Sequence, residues 1–288
     1  MTESLQAAPN QSLEFEFSQE DFEMIAKLVH SDYGLSLPES KKPLVYSRLS
    51  KRLRKLDLHS FGEYYRFVLS DQGTEERGRM LSALTTNVSH FFREQHHFDM
   101  LEQKILPGLI ENARAGGRVR LWSAGCSAGQ EPYSIAFTIL KLCPDAGSLD
   151  IKILATDIDD DILSKAKAGE YSSEDIGTNG DKLQKWMSQA EGTIDKFQVI
   201  PEAQNLVSFA KLNLVGSWPR TNSFDVVFCR NVAIYFDRET QTTLWSKFAE
   251  RLAPKGHLMI GHSERLTDNV VAAFDPAGIT AYQKKQVG

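Results

Sequence analysis

Apolar residues divide this chain into a helical N-terminal part and a longer part in which strands and helices alternate. From residue 15 to residue 84, apolar side chains recur with helical spacing. Val45, Leu49, Leu53 and Leu56, for example, fall at positions i, i+4, i+8 and i+11. This spacing places the four side chains on one helix face, so the pattern predicts a small all-helical domain over residues 15–84.

Beyond residue 85, short apolar runs alternate with amphipathic stretches, which is typical of a mostly parallel α/β sheet. The predicted strands are Val119–Trp122, Ile151–Thr156, Phe224–Phe228 and His257–Gly261, with a further candidate at Ile279–Lys284. The predicted helices are Phe98–Ala113, Glu131–Leu142, Asp160–Ala168 and Arg238–Leu252. Short apolar runs at 197–200 and 206–209 predict a small antiparallel insertion over about 186–212 of this α/β domain, residues 85–288. The polar residues 1–14 predict a disordered tail.

Composition and charge narrow the class of protein. A chain of 288 residues with 41% hydrophobic content can bury a large core. Its formal net charge of −5 argues against a general nucleic-acid binder. Cys126, Cys143 and Cys229 are too scattered for a disulfide framework, which favours a reducing, cytoplasmic location. Because no apolar run is long enough to span a bilayer, we expect no direct membrane insertion.

The segment Arg118–Ile139, RVRLWSAGCSAGQEPYSIAFTI, combines a strand, a loop of small residues and a helix. Such loops let a backbone approach a ligand closely. Gly125 and Gly129 do not form G-x-G-x-x-G, and no Gly-Lys-Ser/Thr follows, which disfavours dinucleotides and triphosphates. Glu131 at the start of the helix also disfavours phosphate. The acidic residue suits a cationic, hydroxyl-rich ligand such as S-adenosylmethionine.

Two further strands deliver polar residues at their carboxyl ends, where open α/β sheets bind ligands. Asp157 closes the run ILATD, and a carboxylate there can accept hydrogen bonds from ribose hydroxyls; the alternative is that it caps the next helix. The run FDVVFCRNVAIYF ends its strand at Arg230 and Asn231. Tyr235 follows one turn later, and either reaches the ligand or fills the core.

A polar cluster precedes the first strand, in LTTNVSHFFREQHHF. It contains Asn87, Ser89 and Arg93, and the paired donors of an arginine suit a carboxylate. The adjacent His96 and His97 suggest a metal site. Neighbouring residues on a helix point in different directions, however, and the sequence shows no third ligand nearby, so we predict no metal.

A basic helix face is the last candidate surface. Over residues 41–66, eight Lys/Arg and two Asp/Glu give a local charge of +6. Four of these side chains fall together, away from the leucines: Arg48, Lys51, Arg52 and Lys55. They form either a solvated helix face or a docking surface for an acidic partner.

Several of these motifs, in this order, resemble the CheR-type chemotaxis receptor methyltransferases. The motifs are LTTNVSHFFREQHHF, RLWSAGCSAGQEPYSIA, ILATDID, FCRNVAIYF and GHLMIGHSE. The family transfers a methyl group from S-adenosylmethionine to glutamate side chains of membrane chemoreceptors and releases S-adenosylhomocysteine. The resemblance implies a Rossmann-like methyltransferase domain, a protein-glutamate O-methyltransferase activity and a function in sensory adaptation.

The resemblance also implies roles for residues. Cofactor contacts are implied for Asn87, Ser89, Arg93, Glu131, Asp157, Asn213, Leu214, Arg230 and Asn231. Arg93 and Tyr235 resemble the residues nearest to methyl transfer, and the basic helix resembles the segment that faces the receptor's cytoplasmic methylation helices. The insertion resembles a β-subdomain with which some members bind a peptide at the receptor's C terminus. Here it is slightly short and lacks the G-x-G turn of those members, which leaves peptide binding open.

The same residues bear on two rival functions. A nucleic-acid methyltransferase of the amino-methylating type would carry an Asn/Asp-Pro-Pro-Tyr motif, but Val232, Ala233 and Ile234 follow Asn231. A non-catalytic module that binds the adenosyl ligand and regulates a partner remains open. For the enzyme, a solvated glutamate with a pKa of about 4.3 is already ionised at neutral pH, so no general base is required.

Overall fold

The structure is a computed structural model that describes residues 14–85, 88–190, 193–220 and 222–286. The predicted tail over residues 1–14 lies outside this part of the chain, except for Glu14. Internal contacts divide the described residues into two units, which are residues 14–30 with Leu37–Thr85 and Ser31–Ser36 with the described residues after Thr85. Among the described residues, no helix has the length and apolar character that crossing a membrane requires.

The first unit is helical, as its apolar periodicity predicts. Its helices are α1 (Gln19–Tyr33), whose last residues belong to the second unit, α2 (Lys42–Leu56), α3 (Phe61–Leu69) and α4 (Thr74–Leu84). Val45, Leu49 and Leu53 on one face of α2 are completely buried, which accounts for their spacing. α3 begins where Ser60 accepts the backbone N–H of Glu63 at 3.1 Å.

The second unit contains two sheets. Its strands are β1 (Val119–Ala124), β2 (Ile151–Asp157), β3 (Glu170–Ser172), β4 (Met187–Gln189), β5 (Lys196–Val199), β6 (Val207–Lys211), β7 (Phe224–Cys229), β8 (Leu252–Ile260), β9 (Phe274–Gly278) and β10 (Ala281–Lys284). The large sheet has the order β6-β2-β1-β7-β8-β10-β9, and the small sheet has the order β3-β5-β4. The large sheet is parallel from β6 to β8 and antiparallel at β10 and β9.

The second unit also contains helices. They are α5 (Gln95–Met100), α6 (Leu106–Arg114), α7 (Gln130–Leu142), α8 (Asp160–Ala168), α9 (Ser173–Ile176), α10 (Gly180–Leu183), α11 (Pro201–Gln204), α12 (Arg238–Arg251) and α13 (Asp268–Val271). A π-helical segment, Leu101–Ile105, joins α5 to α6 just before Pro107, which cannot donate a backbone hydrogen bond. Within β1, Leu121 packs into the apolar cluster on one face of the sheet and Trp122 into the cluster on the other.

The prediction of a small antiparallel insertion assigned the wrong strands to it. β5 does form a small antiparallel sheet, but its partners are β3 and β4, so that sheet spans residues 170–199. The run at 206–209 lies instead in β6, which pairs in parallel with β2 at the edge of the large sheet. A short apolar run shows its own conformation but not its partner, because strand pairing depends on residues distant in sequence.

The final strand of the prediction also needs a correction. Only Ala281–Lys284 of the candidate Ile279–Lys284 is a strand, and a second strand, β9, precedes it. β9 contains Pro276 and ends at Gly278, two residue types that disfavour strands. An edge position in the sheet tolerates such a proline. The residue types of this segment therefore do not predict the strand that it forms.

Candidate cofactor and methyl-transfer site

The carboxyl ends of β2, β1 and β7 lie side by side in the middle of the large sheet. Ala124 at the end of β1 is paired with Thr156 of β2, and Ser123 is paired with Phe228 of β7. From β1 the chain runs to β2 on one side and later returns to β7 on the other side. Such a switch in direction opens a crevice above the strand ends, which is where ligands bind in open α/β sheets.

The loop after β1 has a conformation that its two glycines permit. Gly125 has φ +80°, and a Cβ there would lie 2.3 Å from Cγ2 of Val232 in the loop after β7. The backbone N–H of Gly125 donates to the carbonyl of Thr156 at 2.8 Å. Gly129, with φ +94°, immediately precedes α7. The loop is therefore fixed to β2 and closely packed against the loop after β7.

Asp157 fixes the same loop from the end of β2. Its Oδ2 accepts the backbone N–H of Ser127 at 2.8 Å, and its Oδ1 accepts the N–H groups of Ile158 and Asp159 at 2.8 and 3.2 Å. Burial raises the pKa of Asp157, and these three donors oppose the rise. The alternative that Asp157 caps α8 is wrong, because Asp159 accepts the first backbone N–H groups of that helix.

Glu131 and Arg230 form a buried ion pair behind the loop. Oε2 of Glu131 lies 3.2 Å from Nε of Arg230, and Oε1 accepts a hydrogen bond from Oγ of Ser123 at 2.7 Å. Burial raises the pKa of Glu131, and the Arg230 guanidinium opposes that rise. Nη2 of Arg230 donates to the carbonyl of Arg93 at 2.5 Å. Arg230 thus contacts three parts of the protein around the crevice.

Glu264 is a buried carboxylate that residue-by-residue reasoning missed. Its Oε2 accepts the backbone N–H groups of Gly261 and Asn231 at 2.5 and 3.1 Å, and its Oε1 accepts that of Val232 at 3.0 Å. Asn231 has φ +60°, an unusual conformation that these bonds support. The signal was present in the motif GHLMIGHSE, whose last residue is Glu264.

Segment 31–36 contacts two more of the predicted site residues. The carbonyl of Tyr235 accepts the backbone N–H of Ser36 at 2.8 Å. The side chain of Asn213 donates to the carbonyl of Asp32 at 2.8 Å and accepts the N–H of Val215 at 3.0 Å. The Tyr235 ring is half-buried and, among the described residues, lies outside both apolar clusters that cover the large sheet. Leu214, in contrast, is buried in one of those clusters.

Comparison with known proteins decides the family. The family model "CheR methyltransferase, all-alpha domain" matches residues 20–85, and the model "CheR methyltransferase, SAM binding domain" matches residues 87–283.

The chain belongs to the CheR methyltransferase family.

Curated relatives of this CheR methyltransferase agree over most of its length. A probable chemotaxis protein methyltransferase of Rhizobium etli is 50% identical, covering 89% of this chain and 96% of the relative. Chemotaxis protein methyltransferase 2 of Pseudomonas aeruginosa is 40% identical, covering 87% and 88%. The chemotaxis protein methyltransferase of Borreliella burgdorferi is 37% identical, covering 90% and 92%. The predicted family, the α/β methyltransferase fold with a helical N-terminal domain, the enzyme class and the cofactor S-adenosylmethionine are confirmed.

The polar cluster before β1 of this CheR methyltransferase contains three predicted site residues, Asn87, Ser89 and Arg93. Asn87 lies outside the described residues. Ser89 lines a pocket of about 680 Å³ together with Gln130 of α7 and with Ala128 of the loop after β1, called the glycine loop because it contains Gly125 and Gly129. Arg93 is half-buried, and its Nη1 donates to the carbonyl of Val88 at 3.2 Å. The structure therefore brings Ser89 next to the end of the loop after β1. Among the described residues, Arg93 has guanidinium donors beyond the one that contacts Val88.

The basic face of α2 divides into two kinds of residue. Nη1 of Arg48 donates to three carbonyls at the end of α4, with distances of 2.8–3.1 Å. Arg52 makes two hydrogen bonds with the buried carboxylate of Glu76, at 2.9 and 2.6 Å. Lys51 and Lys55 are exposed. Two of the four predicted docking residues therefore hold the helical unit together, and only the two lysines present their charge freely to solvent.

A third ligand-type side chain, which the sequence does not reveal, lies near His96 and His97 and corrects the premise of the predicted absence of a metal. Glu94 carries its carboxylate to the pair, with Oε2 3.5 Å from Nδ1 of His97. Nδ1 of His262 lies 3.1 Å from Oε1 of the same carboxylate. Burial lowers the pKa of His97 to about 4, so its ring is neutral at physiological pH. Three potential ligand side chains, Glu94, His96 and His97, thus lie together at the start of α5.

Proposed function

We propose that the chain binds S-adenosylmethionine in the crevice above β2, β1 and β7, and methylates glutamates on the cytoplasmic domain of chemotaxis receptors. Family membership supports the reaction. The proposed location of the cofactor rests on one hydrogen bond. The backbone N–H of Ser127 donates to Oδ2 of Asp157 at 2.8 Å and joins the loop after β1 to the end of β2. We expect the protein to work in the cytoplasm, where such receptor domains lie.

Asp157 is suited to the ribose hydroxyls. A carboxylate offers about four acceptor sites. Asp157 uses three of them on backbone N–H groups, two through Oδ1 and one through Oδ2. Within the described part of the chain, one acceptor site on Oδ2 is left for a ligand. A ligand hydroxyl there would complete the set of hydrogen bonds of a half-buried anion.

Glu131 is suited to the ammonium group of the cofactor's amino-acid part. Its carboxylate is buried and meets one cation, Arg230, and one hydroxyl, Ser123. Burial raises its pKa, so a second cation nearby would stabilise the ionised form. Ser89, Asn87, Asn213, Leu214 and Asn231 are proposed to complete the cofactor pocket.

The chemistry needs alignment more than acid–base catalysis. The acceptor carboxylate is an anion and the sulfonium of S-adenosylmethionine is a cation. Charge would therefore be neutralised as a carboxylate oxygen bonds the methyl carbon in line, the carbon–sulfur bond breaks and the sulfur leaves as the neutral thioether of S-adenosylhomocysteine. A transition state less charged than its reactants is favoured by a site from which water is excluded. Holding the two groups in line can lower the barrier by roughly 7–11 kcal/mol. We propose that Arg93 and Tyr235 orient the incoming carboxylate.

The first experiment is calorimetric titration of the full chain with S-adenosylmethionine and S-adenosylhomocysteine. The same sample is then mixed with radiolabelled cofactor and receptor-containing membranes. We expect binding of both compounds and alkali-labile label on the receptor. Absence of binding for both compounds would contradict the proposal. Binding without label would favour the non-catalytic module, and retention of DNA or RNA on filters would favour a nucleic-acid substrate.

The second experiment tests the proposed alignment. Tyr235→Phe and Arg93→Ala should reduce the turnover number while the free energy of unfolding stays near that of the original chain. Arg238→Ala is the matched control, because Arg238 is exposed and its ion-pair partner, Asp268, is exposed as well. Near-normal methylation by Arg93→Ala would show that Arg93 does not orient the acceptor carboxylate.

Receptor docking is proposed for the exposed lysines of α2. Lys51 and Lys55 lie in a segment of local charge +6, which suits an acidic receptor surface. A peptide from the receptor's C terminus, if it binds in extended form, would find backbone partners on β4, an edge strand of the small sheet.

A further inference from the structure

The loop after β8, residues 261–265, is joined to the segment that carries Arg93. The backbone N–H of His262 donates to Oε1 of Glu94 at 3.2 Å, and Nδ1 of the same histidine lies 3.1 Å from that oxygen. Glu94 directly follows Arg93, and its side chain is only 10% exposed. One end of the loop is therefore fixed beside one of the two residues proposed to orient the acceptor carboxylate.

The same loop is joined to the segment that carries Tyr235, the second of these residues. Oε1 of Glu264 accepts the backbone N–H groups of Val232 and Ile234 at 3.0 and 3.3 Å. Ile234 directly precedes Tyr235, and its side chain is 46% exposed. The loop over residues 261–265 therefore contacts both sides of the proposed acceptor site, and its exposed side chains lie at the edge of that site.

Arg265 gives this loop an exposed positive charge whose position is fixed. Its Nη1 donates to the carbonyls of His262 and Glu264 at 2.9 and 2.6 Å. The two bonds use one nitrogen of the guanidinium and leave its other donors for a ligand. Among the described residues, Arg265 forms no ion pair with a carboxylate. An arginine whose planar group is already oriented loses little conformational freedom when it binds a carboxylate.

The loop does not neutralise this charge on its own exposed surface. Glu264 is its one acidic residue, and only 4% of that residue is exposed. The Glu264 oxygens accept backbone N–H groups of the protein interior, from residues 231, 232, 234 and 261. The loop therefore holds its negative charge inside and presents the Arg265 guanidinium outside. A surface of this kind suits an anionic group of a partner.

We propose that Arg265 binds a second carboxylate of the receptor, on a residue three or four positions from the acceptor glutamate. This inference rests on the proposed function, in which Arg93 and Tyr235 orient the acceptor. Residues three or four positions apart lie on one face of a helix, with Cβ atoms about 5–6 Å apart. An acceptor held at Arg93 brings such a neighbour to the adjoining loop. Arg265 thereby selects acceptor glutamates that have an acidic neighbour on the same helix face.

The test compares two cytoplasmic fragments of one chemoreceptor. In the first fragment an acidic residue lies three or four positions from an acceptor glutamate, and in the second this residue is replaced by glutamine. Mass spectrometry of the digested fragments measures methylation at that acceptor. We expect Arg265→Gln to lower kcat/KM about fivefold on the first fragment, the upper range for an exposed ion pair, and to leave the second unchanged.

Arg220→Gln is the matched control, because Arg220 is exposed in the loop that enters β7 at its amino end, away from the strand ends that face the crevice. It removes the same charge and should leave kcat/KM unchanged on both fragments. S-adenosylhomocysteine affinity, measured by calorimetry, should be the same in the original chain and in both variants. This affinity verifies that the cofactor pocket of each protein is intact.

A charge swap adds a readout that a general effect on folding does not reproduce. A third fragment carries lysine in place of the acidic neighbour. The original chain should prefer the first fragment to the third, and Arg265→Glu should reverse this preference. The proposal is overturned if Arg265→Gln slows both of the first two fragments equally, if it slows neither, or if the preference is not reversed. Failure of the original chain to bind S-adenosylhomocysteine or to methylate any fragment would instead contradict the proposed function.

Discussion

Nε of Arg230 lies 3.2 Å from Oε2 of Glu131 in a buried ion pair that joins the end of β7 to the first turn of α7. The side chains are only 2% and 11% exposed. The same guanidinium donates to the carbonyl of Arg93 and lies 5.5 Å from the ring centre of Phe98. One cation therefore fixes three segments around the proposed methyl-transfer site. Its loss should lower both the free energy of unfolding and the rate of methylation.

The first prediction concerns Arg230→Met. This change keeps a long side chain but leaves the Glu131 carboxylate buried without its cation. Breaking a buried ion pair in this way costs about 3–5 kcal/mol, and we expect the free energy of unfolding in urea to fall by that amount. Arg238→Met is the control, because the exposed pair of Arg238 and Asp268 is worth at most about 1 kcal/mol. Equal losses in the two variants would show that the buried pair has no special role.

The local parts of this site could be predicted from sequence. The glycine loop, the start of α7 and Asp157 at the end of β2 all lie within short segments where residue type determines backbone conformation. Gly125 shows this well, since its φ of +80° and its closeness to Val232 exclude a side chain. The helices and the parallel strands follow from periodicity for the same reason.

The non-local parts could not be predicted in this way. The buried bonds of Glu264 join it to Asn231, 33 positions earlier, and nothing near Glu264 in sequence reveals that partner. Arg52 was predicted as a free docking charge because its helical face is polar, but its carboxylate partner, Glu76, lies on another helix. β6 was placed in the wrong sheet because its partner, β2, is distant in sequence. Pairing across the fold is the information that a residue pattern lacks.

The second prediction separates two functions of Asp157. Asp157→Asn should weaken S-adenosylhomocysteine binding roughly 10–100-fold, since a hydrogen bond to a charged group contributes about 1.5–3 kcal/mol. The original chain should also bind the 2′,3′-dideoxyribose analogue more weakly than the parent compound. Calorimetry with both proteins and both ligands measures this.

If Asp157 contacts the ribose, the variant should discriminate less between the two ligands than the original chain does. If it only shapes the loop through the N–H of Ser127, removal of the hydroxyls should cost both proteins the same affinity. Asp160→Asn is the matched control, because Asp160 is exposed at the start of α8.

The third prediction concerns Glu264→Gln. The amide NH₂ of glutamine would face backbone donors where the carboxylate now accepts, so one of the bonds to Gly261, Asn231 or Val232 is lost. We expect the free energy of unfolding to fall by about 1–3 kcal/mol. Because the same loop continues to Tyr235, the KM for S-adenosylmethionine should rise and turnover should fall.

Urea unfolding and steady-state methylation measure the two effects of Glu264→Gln. Glu250→Gln serves as the control, as Glu250 is exposed on α12. A Glu264→Gln variant with unchanged stability and unchanged KM would mean that these backbone bonds do not organise the site.

The fourth prediction divides the basic face of α2 by function. Lys51→Glu with Lys55→Glu should leave the free energy of unfolding nearly unchanged, because both side chains are exposed. Receptor methylation should slow and lose most of its dependence on salt, since electrostatic attraction between exposed charges is screened by ions. Arg52→Gln should instead destabilise the protein, because it leaves the carboxylate of Glu76 buried without its cation.

The control for the lysine pair is Lys104→Glu with Lys167→Glu, which makes the same change in net charge at exposed positions outside α2. Methylation rates are measured on receptor membranes at several salt concentrations, with S-adenosylhomocysteine affinity as the test of an intact cofactor pocket. Equal slowing in both double variants would assign the effect to net charge. No slowing in either would leave the lysines of α2 as a solvated face. Only a selective loss in the α2 variant supports docking there, because the two proteins differ in the position of the charge and not in its amount.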